Sequence, residues 1–197
     1  MNIIFLRPWV KNIVNNLNTW TLFLDRDGVI NKRIPGNYVK NVDEFELING
    51  VIEAITIFNR IFKNIFIVTN QQGIGKNYMT VEDLQLIHDH FIQSLEKERG
   101  RIDKIYFCSG LAKDNPPCRK PNIGMALQAK KDFPDIDFNK SLMIGDTESD
   151  MLFAKNAGMK ALFHTDDVLF LPKDIPFDGV TPSLLSFANL LKESVVN

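Results

Sequence analysis

Short apolar runs recur along the chain, at Thr21-Leu22-Phe23-Leu24, Ile65-Phe66-Ile67-Val68, Ile105-Tyr106-Phe107, Leu142-Met143-Ile144 and Ala161-Leu162-Phe163. They are continuous rather than alternating and rich in branched or aromatic side chains, the pattern of strands buried on both faces of a parallel sheet. Helical spacing fills the intervals. Val81, Leu84, Ile87, Phe91 and Leu95 fall at steps of three and four, behind Thr80 as N-cap with Asp83 three residues on. Further helices are expected near 51–62, 123–133 and 148–157, the last closed by Gly158. A final one is expected near 184–191, after turns at Pro172, Pro176 and Pro182. Strand and helix alternate, so the expected fold is α/β: a doubly wound, Rossmann-like parallel sheet with helices on both faces. Residues 1–20, Asn-rich over 12–18, are expected to be an N-terminal extension docked on a single domain at 21–197.

Composition narrows the partners. The 197 residues suit one domain able to cover a sheet and keep a dry cleft. Hydrophobic residues at 45% and charged residues at 24% exclude a disordered chain. With 23 basic and 24 acidic residues the net charge is -1, which gives no pull toward nucleic acid or an anionic membrane. A small-molecule partner fits better, and a monomer is expected. No run approaches the roughly 18 apolar residues of a membrane span. The start, MNIIFLRPWVKNIV, is a poor signal peptide, because its short apolar stretch has no basic residues before it and is broken by Arg7, Pro8 and Lys11. Two cysteines, Cys108 and Cys118, cannot form a disulfide framework and read as free thiols in a reducing compartment, so a cytoplasmic location is expected.

Candidate chemistry sits where an open parallel sheet gathers ligands, beyond the carboxyl ends of its strands. Asp25-Arg26-Asp27-Gly28 follows the first run, Thr69-Asn70-Gln71-Gln72-Gly73 the second, and Gly145-Asp146-Thr147-Glu148-Ser149-Asp150 the fourth. The basic pair Arg119-Lys120 precedes Pro121 and another helix start. Asp25 and Asp27, two residues apart, can point the same way, and clustered carboxylates repel unless a cation or proton intervenes. An oxygen-only set of Asp25, Asp146 and the backbone carbonyl of Asp27 favours Mg2+. One carboxylate can then attack an electrophile while its neighbour protonates the leaving group. The Thr69 hydroxyl and the Lys120 ammonium suit the equatorial oxygens of a phosphoryl group.

The ordered set DRDGVIN, VTNQQGIG, CRKPNIGM and MIGDTESDM resembles the haloacid dehalogenase-like (HAD) phosphatase superfamily over about residues 22–164. Within it the chain resembles the branch holding the D-glycero-D-manno-heptose 1,7-bisphosphate phosphatases and the histidinol-phosphate phosphatases. A single DxDG would carry little, whereas four motifs in order, each after an expected strand, carry much. The resemblance implies that Asp25 is a nucleophile forming an aspartyl-phosphate and Asp27 the general acid and then base. It implies Thr69 as the phosphate-binding hydroxyl, Lys120 as the charge-stabilising cation and Asp146 as the principal remaining metal ligand. Asn70 and Arg119 would assist with phosphate and substrate, and Asp150 would act from behind the metal ligands. Expected elements use up the intervals between motifs, so no large cap domain is expected. Substrate choice then falls to the loops 31–42, 73–78 and 109–118. Tyr38-Val39 followed by 45–51 resembles the heptose branch more than the histidinol branch. The branch typically places a structural zinc in the third loop, using a Cys-x-His and a later Cys-x-Cys pair. Here Gly110 and Pro116 stand at two of those positions, leaving Cys108 and Cys118, so no zinc is expected.

Plainer readings exist for each residue. Asp25 or Asp146 could cap a turn, Lys120 could be a solvated lysine, and Asp150 could be a first-turn carboxylate favoured by the helix dipole. The ordered set outweighs them. His88, His90 and His164 belong to no metal or nucleophile pattern and read as structural or exposed. Among functions, a Mg2+-dependent phosphomonoesterase acting on heptose bisphosphate ranks first and histidinol phosphate second. Balanced charge disfavours a nucleic-acid 3′-phosphatase. The intact set Asp25, Asp27, Thr69, Lys120 and Asp146 disfavours a non-catalytic scaffold, and an open site that admits water disfavours a phosphotransferase.

Overall fold

The computed structural model describes residues 5–6, 14–167, 171 and 174–196. Seven strands form one sheet: β1 (Phe5–Leu6), β2 (Thr21–Leu24), β3 (Asn64–Asn70), β4 (Lys104–Cys108), β5 (Ser141–Gly145), β6 (Lys160–His164) and β7 (Gly179–Thr181). Their order is β1-β7-β6-β5-β2-β3-β4, parallel from β7 to β4, with β1 antiparallel at the edge. The helices of eight residues or more are α1 (Val51–Phe58), α2 (Val81–Lys97), α3 (Gly124–Asp132), α4 (Glu148–Ala157) and α5 (Leu184–Val196), with shorter helical turns such as Gln72–Gly75 between elements.

The continuous apolar runs become strands because both faces of the sheet are covered. Leu22, Leu24, Ile65, Ile67, Leu142 and Ile144 join one core layer, while Phe23, Phe66, Val68, Met143 and Ala161 join the other. Successive residues of β2 thus enter opposite layers, as the two-residue strand period requires. The α2 start is as expected: Asp83 N–H donates to Thr80 Oγ1 at 3.0 Å and Thr80 N–H to Asp83 Oδ2 at 2.8 Å. Gly158 ends α4 at φ 79°, a left-handed conformation that costs a residue with a Cβ more.

Three elements differ from the sequence reading, β1 among them, since no strand was expected before Thr21. The last helix runs on to Val196, and β7 was not expected, its three residues being too short to register as an apolar run. The first twenty residues contribute to the fold where they are described. Phe5 and Leu6 pair with Val180 and Gly179, and Leu17 and Trp20 are buried in the core layer under β2.

The topology positions the site. From β2 the chain builds outward through β3 and β4, then crosses back to lay β5 on the other side of β2. Ligands bind where strand order reverses in this way. The carboxyl ends of β2, β3 and β5 present Asp25, Thr69 and Gly145-Asp146 to one crevice.

Candidate active site

A cleft of about 210 Å³ opens at that crevice, lined by Asp25, Asp27, Thr69, Asn70, Arg119, Lys120 and Asp150, with Arg33, Asn37, Tyr38, Thr147 and Ser149. Asp25 leaves β2 with its N–H donating to Ile144 O of β5 at 3.0 Å, which ties its position to both strands. Its carboxylate is buried and receives the Lys120 ammonium at 2.6 Å. Burial pushes Asp25 up to about 6; Lys120 opposes this, while Asp150 and Asp27 add to it.

Lys120 is buried among three acceptors, Asp25 Oδ1 at 2.6 Å, Asp150 Oδ1 at 2.5 Å and Val68 O at 2.7 Å. Burial works against its charge, but Asp150 and Asp25 outweigh it, so its pKa is raised and the ammonium is kept. Asn70 fixes the lysine from outside: its amide accepts from Lys120 N–H at 3.0 Å and donates to Lys120 O at 3.1 Å. The side chain read as a substrate contact is therefore engaged in bracing the Lys120 backbone. Asp150 is fully buried, and besides pairing with Lys120 it accepts at Oδ2 from Thr147 N–H at 3.0 Å and Thr147 O–H at 2.5 Å.

Asp27 is gripped. Arg26 donates Nη2–H to both carboxylate oxygens at 2.7 and 2.8 Å, Asn31 donates at 3.0 Å and Gln71 at 2.7 Å. Burial alone would raise Asp27, but the Arg26 guanidinium and these bonds outweigh it and hold the carboxyl below its usual range. Thr69 is buried beside it and accepts from Gln71 Nε2 at 2.8 Å. Arg26, Asn31 and Gln71 escaped the assignment of roles although all three stand inside the quoted motifs. Behind Arg26, His88 is buried on α2, and burial and then the guanidinium push it down to about 4. His90 is exposed and His164 bonds Thr181 O, so no histidine enters the cleft lining.

Asp146 follows β5 and is pushed up to about 7, first by burial and then by Asp25, with Arg33 opposing. Carboxylate oxygens of Asp25, Asp146 and Asp150 lie within 4.8 Å of one another. Since both Asp150 oxygens are engaged, Asp25 and Asp146 remain, and the backbone oxygen of Asp27 lies close enough to Asp146 that Arg33 Nη2 bonds both at 2.9 Å. An all-oxygen set that draws in a cationic side chain fits a hard divalent ion. Gly28 permits the approach. It sits at φ 99°, and a Cβ there would fall 2.0 Å from Asp146 Oδ2.

The third loop departs from expectation. Cys108 at the end of β4 and Cys118 just before Arg119 form a disulfide, with Cα atoms 5.4 Å apart. The reading of both as free thiols is corrected: ten residues of separation close into a loop that brings the sulfurs together, which spacing alone does not reveal. The thiol argument for a reducing compartment goes with it. Among the described residues no helix is long and apolar enough to cross a membrane.

Comparison with known proteins places this geometry. Residues 117–170 match the HAD-hydrolase-like family model. The D-glycero-beta-D-manno-heptose-1,7-bisphosphate 7-phosphatase of Helicobacter pylori (strain J99) is 41% identical over 140 residues, 71% of this chain and 79% of that protein. The chain belongs to the HAD-like phosphatases, in the heptose bisphosphate phosphatase branch. A second member of that branch, the D-glycero-alpha-D-manno-heptose-1,7-bisphosphate 7-phosphatase of Campylobacter jejuni, is 40% identical over 146 residues, 74% of this chain and 82% of that protein. The crystal structure of a D,D-heptose 1,7-bisphosphate phosphatase from B. bronchiseptica, complexed with magnesium and phosphate, superposes with a TM-score of 0.77 at 27% identity, covering 88% of this chain and 98% of that one. This HAD-like phosphatase carries the branch's parallel sheet and no large cap domain among the described residues.

Proposed function

We propose that the protein removes the 7-phosphate of D-glycero-D-manno-heptose 1,7-bisphosphate in a Mg2+-dependent hydrolysis. The observation that carries this reading is the buried Asp25 carboxylate with the Lys120 ammonium 2.6 Å away, at the floor of a cleft that also holds Asp27 and Thr69. The names of the relatives point to the heptose substrate.

In the first step an Asp25 oxygen forms a bond to phosphorus while the bond from phosphorus to the sugar oxygen breaks, giving an aspartyl-phosphate. Asp27 supplies the proton that the departing oxygen takes up. In the second step water attacks the same phosphorus, its proton passes to Asp27, and inorganic phosphate leaves with the Asp25 carboxylate restored. Held by Arg26, Asn31 and Gln71, Asp27 stands in its ionised state, the one that accepts a proton from water. Donation in the first step requires Asp27 to bind a proton and turn from Arg26 toward the cleft, and the proton taken from water in the second step restores that protonated form. Lys120 and the Thr69 hydroxyl stabilise the phosphoryl oxygens as charge redistributes. Asp25, Asp146 and the Asp27 backbone oxygen would hold Mg2+, which when bound neutralises carboxylate and phosphate charge together.

Arg119 lines the cleft, and among the described residues its buried Nη1 has no hydrogen-bond partner, which suits a substrate with a second anionic group. The test is Mg2+-dependent phosphate release from both anomers of the heptose bisphosphate, the heptose 1-phosphate, histidinol phosphate and a 3′-phosphorylated oligonucleotide, with Asp25→Asn as control. Release from the bisphosphates alone, abolished in the control, supports the proposal. Faster release from histidinol phosphate would overturn the substrate, and full turnover by the control would overturn the nucleophile.

A further inference from the structure

Arg33 has no part in the reaction above, yet its guanidinium occupies a telling place. Nη2 donates to Asp146 Oδ1 and to the backbone oxygen of Asp27, both at 2.9 Å, and Nε approaches the latter at 3.3 Å. These are two of the three oxygens assigned to Mg2+. A guanidinium nitrogen and a magnesium ion cannot both lie between them, because the ion draws its ligands to about 2.0–2.1 Å and brings positive charge of its own.

The local chain delivers the arginine there. Gly28 N–H donates to Asn31 O at 2.7 Å, the Asn31 amide reaches Asp27 Oδ1 at 3.0 Å and Lys32 O at 2.9 Å, and Lys32 N–H is held by Glu46 O at 2.8 Å. The turn returns residue 33 over the carbonyl of residue 27. The Arg33 side chain is 46% exposed, so it can withdraw into solvent, whereas Asp146 is 19% exposed and has the Asp25 carboxylate within 4.8 Å. With the arginine gone and no metal bound, Asp146 would face Asp25 uncompensated.

We propose that Arg33 is a built-in counter-cation of the metal site, neutralising Asp146 in the metal-free protein and competing with the divalent ion for the same oxygens. The inference rests on the magnesium reading. Metal binding then includes displacement of the guanidinium, and the enzyme trades some affinity for a site that stays ordered when empty.

The test is calorimetric titration of MgCl2 into metal-stripped full-length wild type, Arg33→Met and Lys32→Met, with thermal melts to establish that each is folded. Lys32 is the control, a neighbouring exposed cation paired with Glu46. Expected is binding about tenfold tighter in Arg33→Met, since removing a competing charge at contact distance acts far more strongly than removing one in solvent. Lys32→Met should stay near wild type. In melts, Arg33→Met should be the less stable protein in EDTA and gain the more from Mg2+. Equal affinity in wild type and Arg33→Met overturns the competition, as does equal tightening in both variants. Binding by neither wild type nor Arg33→Met overturns the magnesium reading as well, while binding by Arg33→Met alone supports the proposal strongly.

Discussion

Lys120 Nζ lies 2.5 Å from Asp150 Oδ1 with both side chains buried, so the cation that faces Asp25 is anchored by a second carboxylate. Removing one member of a buried ion pair strands the other, at a cost of about 3–5 kcal/mol. Lys120→Met should therefore lower unfolding free energy by about that amount, because it strands both Asp25 and Asp150. Adding Asp150→Asn should restore part of the loss. Urea denaturation of the two single variants and the double variant measures the coupling, and strictly additive effects would refute the anchor.

Gly28 is required by the space beneath it. Gly28→Ala places a methyl 2.0 Å from the present position of Asp146 Oδ2 and strains a backbone at φ 99°. The expected result is a loss of about 1–3 kcal/mol of stability, from the strained conformation. The Mg2+ concentration for half-maximal phosphate release should rise at least several-fold, as Asp146 moves. An unchanged magnesium requirement would remove Asp146 from the ligand set.

Proton and metal should compete. In the metal-free protein Asp25 is raised to about 6 and Asp146 to about 7, both above the ordinary 3.8. A carboxyl raised in the folded state holds its proton more tightly than in the unfolded chain. Its contribution to stability is full below about pH 4 and drains away as pH rises through 6 and 7. Magnesium needs the ionised forms and gains over the same window. The rise in Tm on adding Mg2+ should be small near pH 5 and large near pH 8, and Asp146→Asn should flatten the difference. A magnesium effect of equal size at both pH values would contradict it.

Much of this was legible in the chain because the strand ends carry the chemistry. The runs at 22–24, 65–68 and 142–144 read as strands buried on both faces, and because they pair as parallel neighbours Asp25, Thr69 and Asp146 converge. Lys120 was legible only through its motif, since a lysine in a turn carries no periodic signal, and its burial depends on Val68, Asp25 and Asp150 from three other segments. Arg26 and Arg33 were hidden for a different reason. A buried guanidinium and an exposed one look alike in a charge count, and which carboxylate each meets is decided by a turn whose closure rests on hydrogen bonds from Gly28 and Asn31.

The disulfide bears on stability at the third loop. Closing the loop between Cys108 and Cys118, a sequence separation of 10, should contribute about 2–3 kcal/mol by restricting the unfolded chain. Cys118→Ser, or wild type with excess reductant, should unfold at correspondingly lower urea concentration. Because Cys118 adjoins Arg119, the variant should also show a raised KM. Identical midpoints with and without reductant would show that the bond is not formed in solution.

The position of β2 has a consequence for biosynthesis. The strand that leads into Asp25 is made before both its neighbours: β3 follows it next in the chain, but β5 comes only after β4. Until then one edge of β2 has no partner, Asp25 lacks its bond to Ile144, and the apolar faces of β2 and β3 wait for half their cover. Pairings between strands so distant along the chain are slow to form and leave an open edge in the interval. The nascent protein thus passes through a stage in which one edge of β2 is open, and the bond that fixes Asp25 forms only when β5 closes that edge.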